Sequence, residues 1–510
     1  MRQVSLLTLV GLLLAALLAA GPASASSALV LADETPPTTL DPAADNSDST
    51  CSVLANVFDG LMAREGKDGK LIPGLAERFE RLDLLTWKFY LRKGVKFHNG
   101  NPFTAADVKF TFERLSDPKL SKWLETGQSI ASMETPDDYT IIFKTKTPVP
   151  WFANNLHQIF IVSKKDVESR DLGDVGVKPV GTGPYRFVEW VKGSHLKFAA
   201  NEAYWGGAPK VKQVELKIIT EPVTRFAALV SSAVDLVAGV PLELLEQIQK
   251  NPKVEMVTRP SRRTIYLALG NKPGTPLADV RVRRAMYLAI NEDEIIAKIM
   301  GGQAVPAAQL PDSACAGFDP NLKRLPYDPE KAKALLKEAG YPDGFEITLA
   351  GPNDRYVNDA RIAEAAVQYL NKVGIKAKLD VKPKSIFFPE VSGGEKHQFY
   401  LLAWLDGAYD SARGLMTNIV TYNKEKGSGG WNGARFSSPE IDALVDKAAV
   451  TVNLAERDAI LRRANRMVQD QVALIPLHYG TDIYGIVKDR GIQFTPRPDR
   501  WLVYKDIDTK

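Results

Sequence analysis

The chain has 510 residues, 45% hydrophobic and 25% charged, with 65 basic against 61 acidic side chains. That composition fits an ordinary globular protein, and the near-neutral charge argues against an extended nucleic-acid footprint. The length exceeds what one hydrophobic core organises, so two or three lobes are expected.

Residues 1–25 read as a secretory signal. Arg2 gives a basic start, residues 6–20 are an almost unbroken apolar run, and Ala23-Ser24-Ala25 supplies a small-x-small cleavage pattern near Ala25. The run is shorter than the about 20 apolar residues of a membrane span, and Gly21-Pro22 follows it closely. No cysteine stands at the cleavage point to carry a lipid. Losing Arg2 takes the formal charge from +4 to +3. The mature protein is expected to be exported and soluble. Cys51 and Cys315 allow at most one internal disulfide, and sequence leaves their pairing open.

After a polar entry at residues 33–50, "TWKFYLRKGVKF" alternates, with Trp87, Phe89 and Leu91 on one face. Gly94 interrupts, and Val95 and Phe97 are expected to resume a strand or hairpin ending at Asn99-Gly100. Thr104 followed by Asp107 predicts an N-capped helix. "DDYTIIFKTKTP" reads as another strand. Arg281-Val282-Arg283-Arg284 reads as a solvated helix face.

In "YDPEKAKALLKEAGY", Asp328 is the expected N-cap, Pro329 suits the first turn and Gly340 the stop. Ala332, Leu335, Leu336 and Ala339 form its apolar stripe. "FEITLA" is a strand and "DARIAEAAVQYLNKVG" a helix turning Ile362, Ala366, Tyr369, Leu370 and Val373 inward. "IKAKLDV" is a strand again, so this stretch predicts a parallel βαβ unit. Ser438-Pro439 opens a helix pair. "VALIPLHYG" is a buried strand, and "IYGIV" and "WLVYK" are expected to be strands crossing back to an earlier lobe.

Catalytic and metal signatures are weak. His98 and Asp107 lie nine positions apart without a third group, and the five histidines show no zinc-ligand spacing. There is no nucleophile elbow, Walker loop or dinucleotide fingerprint. His98 with Asp107 therefore reads as structural, and His478 on its buried strand likewise. No cofactor and no enzymatic activity are expected.

The order of pieces carries a resemblance. "TLDPA", "NVFDGLM", "GKLIPGLAERFERLDLLTWKFYLRKGVKFHNGNPFTAADVKFTFERL", "VGTGPYRFVEW", "NEAYWGGAPKV", "DVRVRRAMYLAINEDEII", "YDPEKAKALLKEAGYPDGF" and "LIPLHYG" follow one another along nearly the whole mature chain. This resembles solute-binding protein family 5, the peptide, dipeptide and oligopeptide receptors of ABC importers. The resemblance implies a two-lobed, class II-like α/β periplasmic binding protein that closes about a hinge, with an inserted α/β domain in the first lobe. By similarity, lobe I comprises residues 26–56, 176–272 and 480–510, the insertion 57–175, and lobe II 273–479. It further implies a monomeric periplasmic receptor that binds peptides or a peptide-like solute between its lobes and delivers it to the inner-membrane permease subunits. The alternative is the same role for an oligosaccharide, opine or metal chelate.

Site residues follow from the same resemblance. Trp404 stands where peptide-binding relatives have a ring flanking the ligand, with Ala403 in place of their Gly. Gly407 replaces their amino-group Asp; Asp406 is displaced by one position, and Asp410 lies further along, followed by Ser411. Arg355 lies near the place of a carboxylate-binding Arg, a task that suits a forked guanidinium. Trp404, Asp406, Asp410 and Arg355 are thus the expected ligand-binding residues. Gly181, Gly183 and Pro184 read as a backbone turn, and Asn201, Tyr204 and Trp205 as packing.

Overall fold

The computed structural model describes residues 28–394 and 396–509, so the signal and its cleavage point lie outside the described residues. Its spine is a pair of long antiparallel strands, Val254–Leu269 and Leu474–Val487. Their ladder runs from Val254 opposite Val487 to Pro260 opposite Thr481, breaks, and resumes from Thr264 opposite Tyr479. Proline has no N–H to donate, so a break beginning at Pro260 follows from its chemistry.

On one side of the break, Leu236–Ala238 pairs antiparallel with the far end of Leu474–Val487. Leu29–Asp33 runs parallel to it and to Gln213–Ile218, and His195–Ala200 and Tyr185–Val191 follow antiparallel. On the other side, Phe399–Trp404 pairs antiparallel with 264–269. Glu346–Pro352 and Lys376–Lys382 extend that edge in parallel. With Ala304–Pro306, which pairs with 478–480, eleven strands among the described residues make one sheet.

Alternation on the crossing strand supplies two cores at once. Ile265, Leu267 and Leu269 enter one cluster with Phe399 and Leu401, beneath the helices Val280–Ala289, Pro329–Glu338 and Asp359–Lys372. Tyr266 and Ala268 enter another with Tyr400 and Leu402, beneath Ser411–Asn418, Pro439–Val450 and Leu454–Asp470. Both faces of the strand are covered, which is why it is apolar throughout. Residues 264–269, assigned to the first lobe from sequence, therefore pack with the elements of the second. The βαβ unit forms as expected, and Ile362, Ala366 and Leu370 are fully buried. Asp328 Oδ1 accepts the Lys331 N–H at 2.9 Å, and Gly340 takes φ +89° at the helix end.

A separate four-stranded antiparallel sheet holds Ala76–Arg81, Thr86–Leu91, Thr140–Thr145 and Ile130–Asp137. Trp87, Phe89 and Leu91 bury their side chains with Phe112 of the helix Ala105–Leu115, Phe143 and Phe152. Val95 and Phe97 are also buried, but no strand resumes there. The chain instead makes a tight loop, in which the Gly100 N–H donates to the Phe97 carbonyl at 2.8 Å and the Phe97 N–H to the Asn101 carbonyl at 2.8 Å. Gly100, at φ +88°, permits that reversal.

His98 and Asp107 hold different things. His98 Nε2 lies 3.0 Å from the Gly183 carbonyl, and the Gly181 N–H reaches Nδ1 at 3.4 Å. Burial pushes the imidazole down to about 4, so the neutral ring donates from Nε2 and accepts at Nδ1. Asp107 Oδ2 accepts the Thr104 N–H at 2.8 Å in a capping box, while Oδ1 accepts the Lys164 N–H at 2.8 Å. Both residues staple loops.

Three further expectations need correction. "IYGIV" is the far half of Leu474–Val487, not a separate strand. "WLVYK" forms no strand, although Trp501, Leu502, Val503 and Tyr504 are buried. The Asn56 amide takes the part of a strand partner: Nδ2 donates to the Leu502 carbonyl at 2.9 Å, and Oδ1 accepts the Tyr504 N–H at 2.8 Å. Arg283 is not solvated; it is buried and donates to the Leu277 and Gln471 carbonyls at 2.6 Å each. Cys51 and Cys315 are both buried and unbonded.

Asp59 ties the "GTGPY" and "NEAYW" segments together. Its carboxylate accepts from Thr182 Oγ1, Tyr204 Oη and Trp205 Nε1, each at 2.9 Å. A Cβ on Gly181 would lie 2.0 Å from the Val57 carbonyl oxygen, whereas one on Gly173 would meet nothing within 4 Å. Gly181→Ala is expected to lower stability by about 1–3 kcal/mol through overpacking. Gly173→Ala is expected to stay within about 0.5 kcal/mol of wild type; urea melts of the two variants check both values.

Candidate functional site

The break in the crossing strands places two adjacent arginines on opposite faces. Arg262 turns into the protein and is 3% exposed. Its Nε donates to Asp312 Oδ2 at 2.9 Å, and one terminal nitrogen donates to the Asp406 carbonyl at 2.7 Å. The same Asp312 oxygen accepts the Cys315 thiol at 3.2 Å. Above this node lies the Tyr409 ring, with the Arg262 guanidinium 3.4 Å from its centroid on one side and Arg64 at 3.3 Å on the other. Arg64 comes from the hairpin strand Met62–Glu65, so the stack joins the segment before residue 175 to the loop at 405–410. Burial pushes the Arg64 guanidinium down to about 10. Tyr409 sits at φ +58°, a strained conformation for a bulky side chain that its two arginine contacts help to hold. Beside the stack, Gln158 Nε2 donates to the Gly407 carbonyl at 3.0 Å.

Arg263 turns the other way, into a polar cleft of about 320 Å³. Asn46, Asp48, Trp123 and Gln158 line one wall; Arg263, Arg355, Tyr356, Leu405, Gly407 and Arg413 line the other. Asp48 opens the helix Asp48–Leu54, and Arg413 projects from Ser411–Asn418. Arg355 sits on the loop after Glu346–Pro352, where Asp359 Oδ2 accepts its backbone N–H at 2.9 Å. Burial and then the like charge of Arg355 lower the Arg263 guanidinium from its ordinary value. The cleft is thus a positively charged opening between elements on both sides of the crossing strands.

The sequence matches the family of bacterial extracellular solute-binding proteins, family 5, over residues 70–426. The chain belongs to that family. It is 31% identical over 459 residues to the glutathione-binding protein GsiB of Pectobacterium atrosepticum, with 88% of each chain covered. Di/tripeptide-binding protein 2 of Pseudomonas aeruginosa is 28% identical over 480 residues, covering 88% of this chain and 89% of its own. The solved structure of HbpA2 from Haemophilus parasuis matches with a TM-score of 0.86 at 26% identity, over 95% of this chain and 100% of that one. The fold is the two-lobed solute-binding architecture that the motif order implied, and the chain is a solute-binding receptor.

The four expected ligand residues fall in three places. Arg355 lines the cleft. Trp404, at the end of Phe399–Trp404, and Asp406 line a cavity of about 10 Å³ with Arg262, Asp312 and Cys315. Neither Trp404 Nε1 nor Asp406 Oδ2 has a partner among the described residues, while Asp406 Oδ1 accepts the Ala408 N–H at 2.8 Å. Burial raises the Asp406 carboxyl to about 6 against the opposing charge of Arg413. Asp410 lies in neither opening. It is 2% exposed, both its oxygens accept from Arg457 at 2.6 and 2.9 Å, and it caps Ser411–Asn418 through the Ala412 N–H at 3.0 Å. These bonds make Asp410 an anchor for Arg457 and for the helix start.

Sequence reasoning missed Arg263, Arg413 and Asp48. Only "RPSRRT" offered a signal, a charged run with a proline inside an otherwise strand-like stretch. Asp410→Ala is expected to cost about 3–5 kcal/mol of stability in the ligand-free protein, since it leaves Arg457 buried and unpaired. Denaturant melts check this. Asp406 behaves oppositely. A folded carboxyl near 6 against about 3.9 unfolded means that stability present at low pH is lost as pH rises from about 4 to about 6. Asp406→Asn removes that loss, so its melting temperature should gain on wild type across this interval and hold the gain above it. A pH series of thermal melts reads the difference.

Proposed function

We propose that this protein is the periplasmic receptor of an ABC importer, taking up peptides or a peptide-like solute in the cleft between its lobes and presenting the closed form to membrane permease subunits. The observation that carries this reading is the cleft itself: polar and charged groups from both sides of the crossing strands converge on one opening. The polar and charged composition of its walls suits ligand backbone and termini, whose hydrogen-bonding groups would otherwise be buried unpaired at about 1–3 kcal/mol each. The relatives named for glutathione and for di- and tripeptides support a short peptidic solute.

The lobes divide at 260–264 and 479–481, with an insertion at 57–175 in the first. Missing ladder bonds at the break let the two halves bend, and ligand contact with both walls favours the closed state. Arg355 contacts the solute, while Trp404 and Asp406 support the loop from beneath. The receptor works as a monomer and performs no reaction on what it carries.

Native mass spectrometry of the mature protein as purified, followed by denaturing release, tests the reading. Peptide masses of two or three residues are the expected result. A single non-peptide mass would overturn the peptide assignment and favour an opine, oligosaccharide or chelate.

A further inference from the structure

Several buried arginines elsewhere in this protein have acidic partners, whereas buried Arg64 and Arg283 hydrogen-bond backbone carbonyls instead. Arg114 pairs with Asp41 at 2.7 Å, Arg262 with Asp312 at 2.9 Å, Arg457 with Asp410 at 2.6 Å and Arg497 with Asp499 at 2.7 Å. The cleft arginines, of which Arg355 is exposed and Arg263 and Arg413 are half-buried, have neither kind of partner among the described residues. Among the described residues, no side-chain hydrogen bond or ion pair engages Arg263, Arg355 or Arg413, and the one acid lining the opening, Asp48, is likewise unpaired. Nearby Arg500 is already taken by Asp482 at 3.1 Å. Three cations thus line the cleft with one acid, and the further acid that acts on Arg413, Asp406, is buried in the small cavity beside it; once lobe closure seals the space, that excess draws its counter-charge from the solute.

We infer that Arg263, Arg355 and Arg413 together select a solute bearing at least two carboxylates, an acidic di- or tripeptide, whose amino group faces Asp48. This rests on the peptide reading above and adds its charge class. A neutral peptide brings one carboxylate and one ammonium, which leaves two guanidiniums unmatched. An acidic side chain supplies the second carboxylate, and planar guanidiniums bind such groups through paired N–H donors. The volume of about 320 Å³ lies at the small end of the roughly 300–1,000 Å³ usual for ligand pockets, which favours a short solute.

Isothermal titration calorimetry on the mature protein, stripped of bound solute by unfolding and refolding, tests this with Ala-Glu-Ala, Ala-Gln-Ala and Ala-Lys-Ala. The Glu peptide is expected to bind about tenfold or more tightly than the Gln peptide, with the Lys peptide weakest. Arg263→Gln and Arg413→Gln should each collapse the Glu-over-Gln ratio toward one while leaving ligand-free melting unchanged. Equal affinity for the Glu and Gln peptides in wild type would overturn the charge class and leave the peptide reading standing. A ratio that survives both substitutions would overturn the assignment to these arginines. Failure of all three peptides to bind would overturn the peptide reading, and the charge class with it.

Discussion

Everything in this molecule hangs on the pairing of Val254–Leu269 with Leu474–Val487 and on the place where that pairing fails. Backbone hydrogen bonds on both sides of the break make each half of the sheet a rigid body, since each half also recruits further strands. Between Pro260 and Thr264 the ladder is absent, so the two bodies share a short stretch of chain with few bonds to lose on bending. The same stretch delivers Arg262 and Arg263 to opposite faces, one into a buried node and one into the cleft. The break in the sheet's spine and the charged lining of the cleft thus come from one local irregularity.

The two arginines show how burial divides structural from functional charge. Arg262 is held by Asp312, by the Asp406 carbonyl and by the Tyr409 ring, so its charge is spent inside the protein. Asp410 with Arg457 is a second such pair, and Asp107 and Asp59 each spend their oxygens on N–H or O–H donors of neighbouring segments. Arg263 has Arg355 as a like-charged neighbour. A side chain surrounded by complementary partners locates a loop, whereas Arg263 lines an open cleft in which its own sign is in excess.

Much of the fold is legible in the sequence. Strict alternation in "TWKFYL" and the 3.6-residue stripe of Asp359–Lys372 report which face is buried, because strand and helix geometry repeat with fixed periods. Asp328 and Thr104 could be read as caps because capping is a contact between near neighbours in sequence. Readings failed where the partner was remote. Phe97 is apolar for the sake of a core it reaches from a loop, and residues 501–504 satisfy their backbone through Asn56, over 400 positions away. Arg283 looked solvated because its acceptors, the carbonyl of Gln471 among them, carry no side-chain signature.

The candidate site divides along the same line. By itself the sequence determined the α/β class, the βαβ unit and the family, which rest on local periodicity or the order of motifs, and the structural character of His98 and Asp107, which rests on the lack of a third catalytic group beside them. It also singled out Arg355. Tertiary structure alone decided that Asp410 pairs with Arg457, that Trp404 and Asp406 line a separate small cavity, and that Arg263, Arg413 and Asp48 line one cleft. Those outcomes depend on which charges meet after the chain has folded, and complementarity between side chains 47 to 365 positions apart leaves no periodic trace in the sequence.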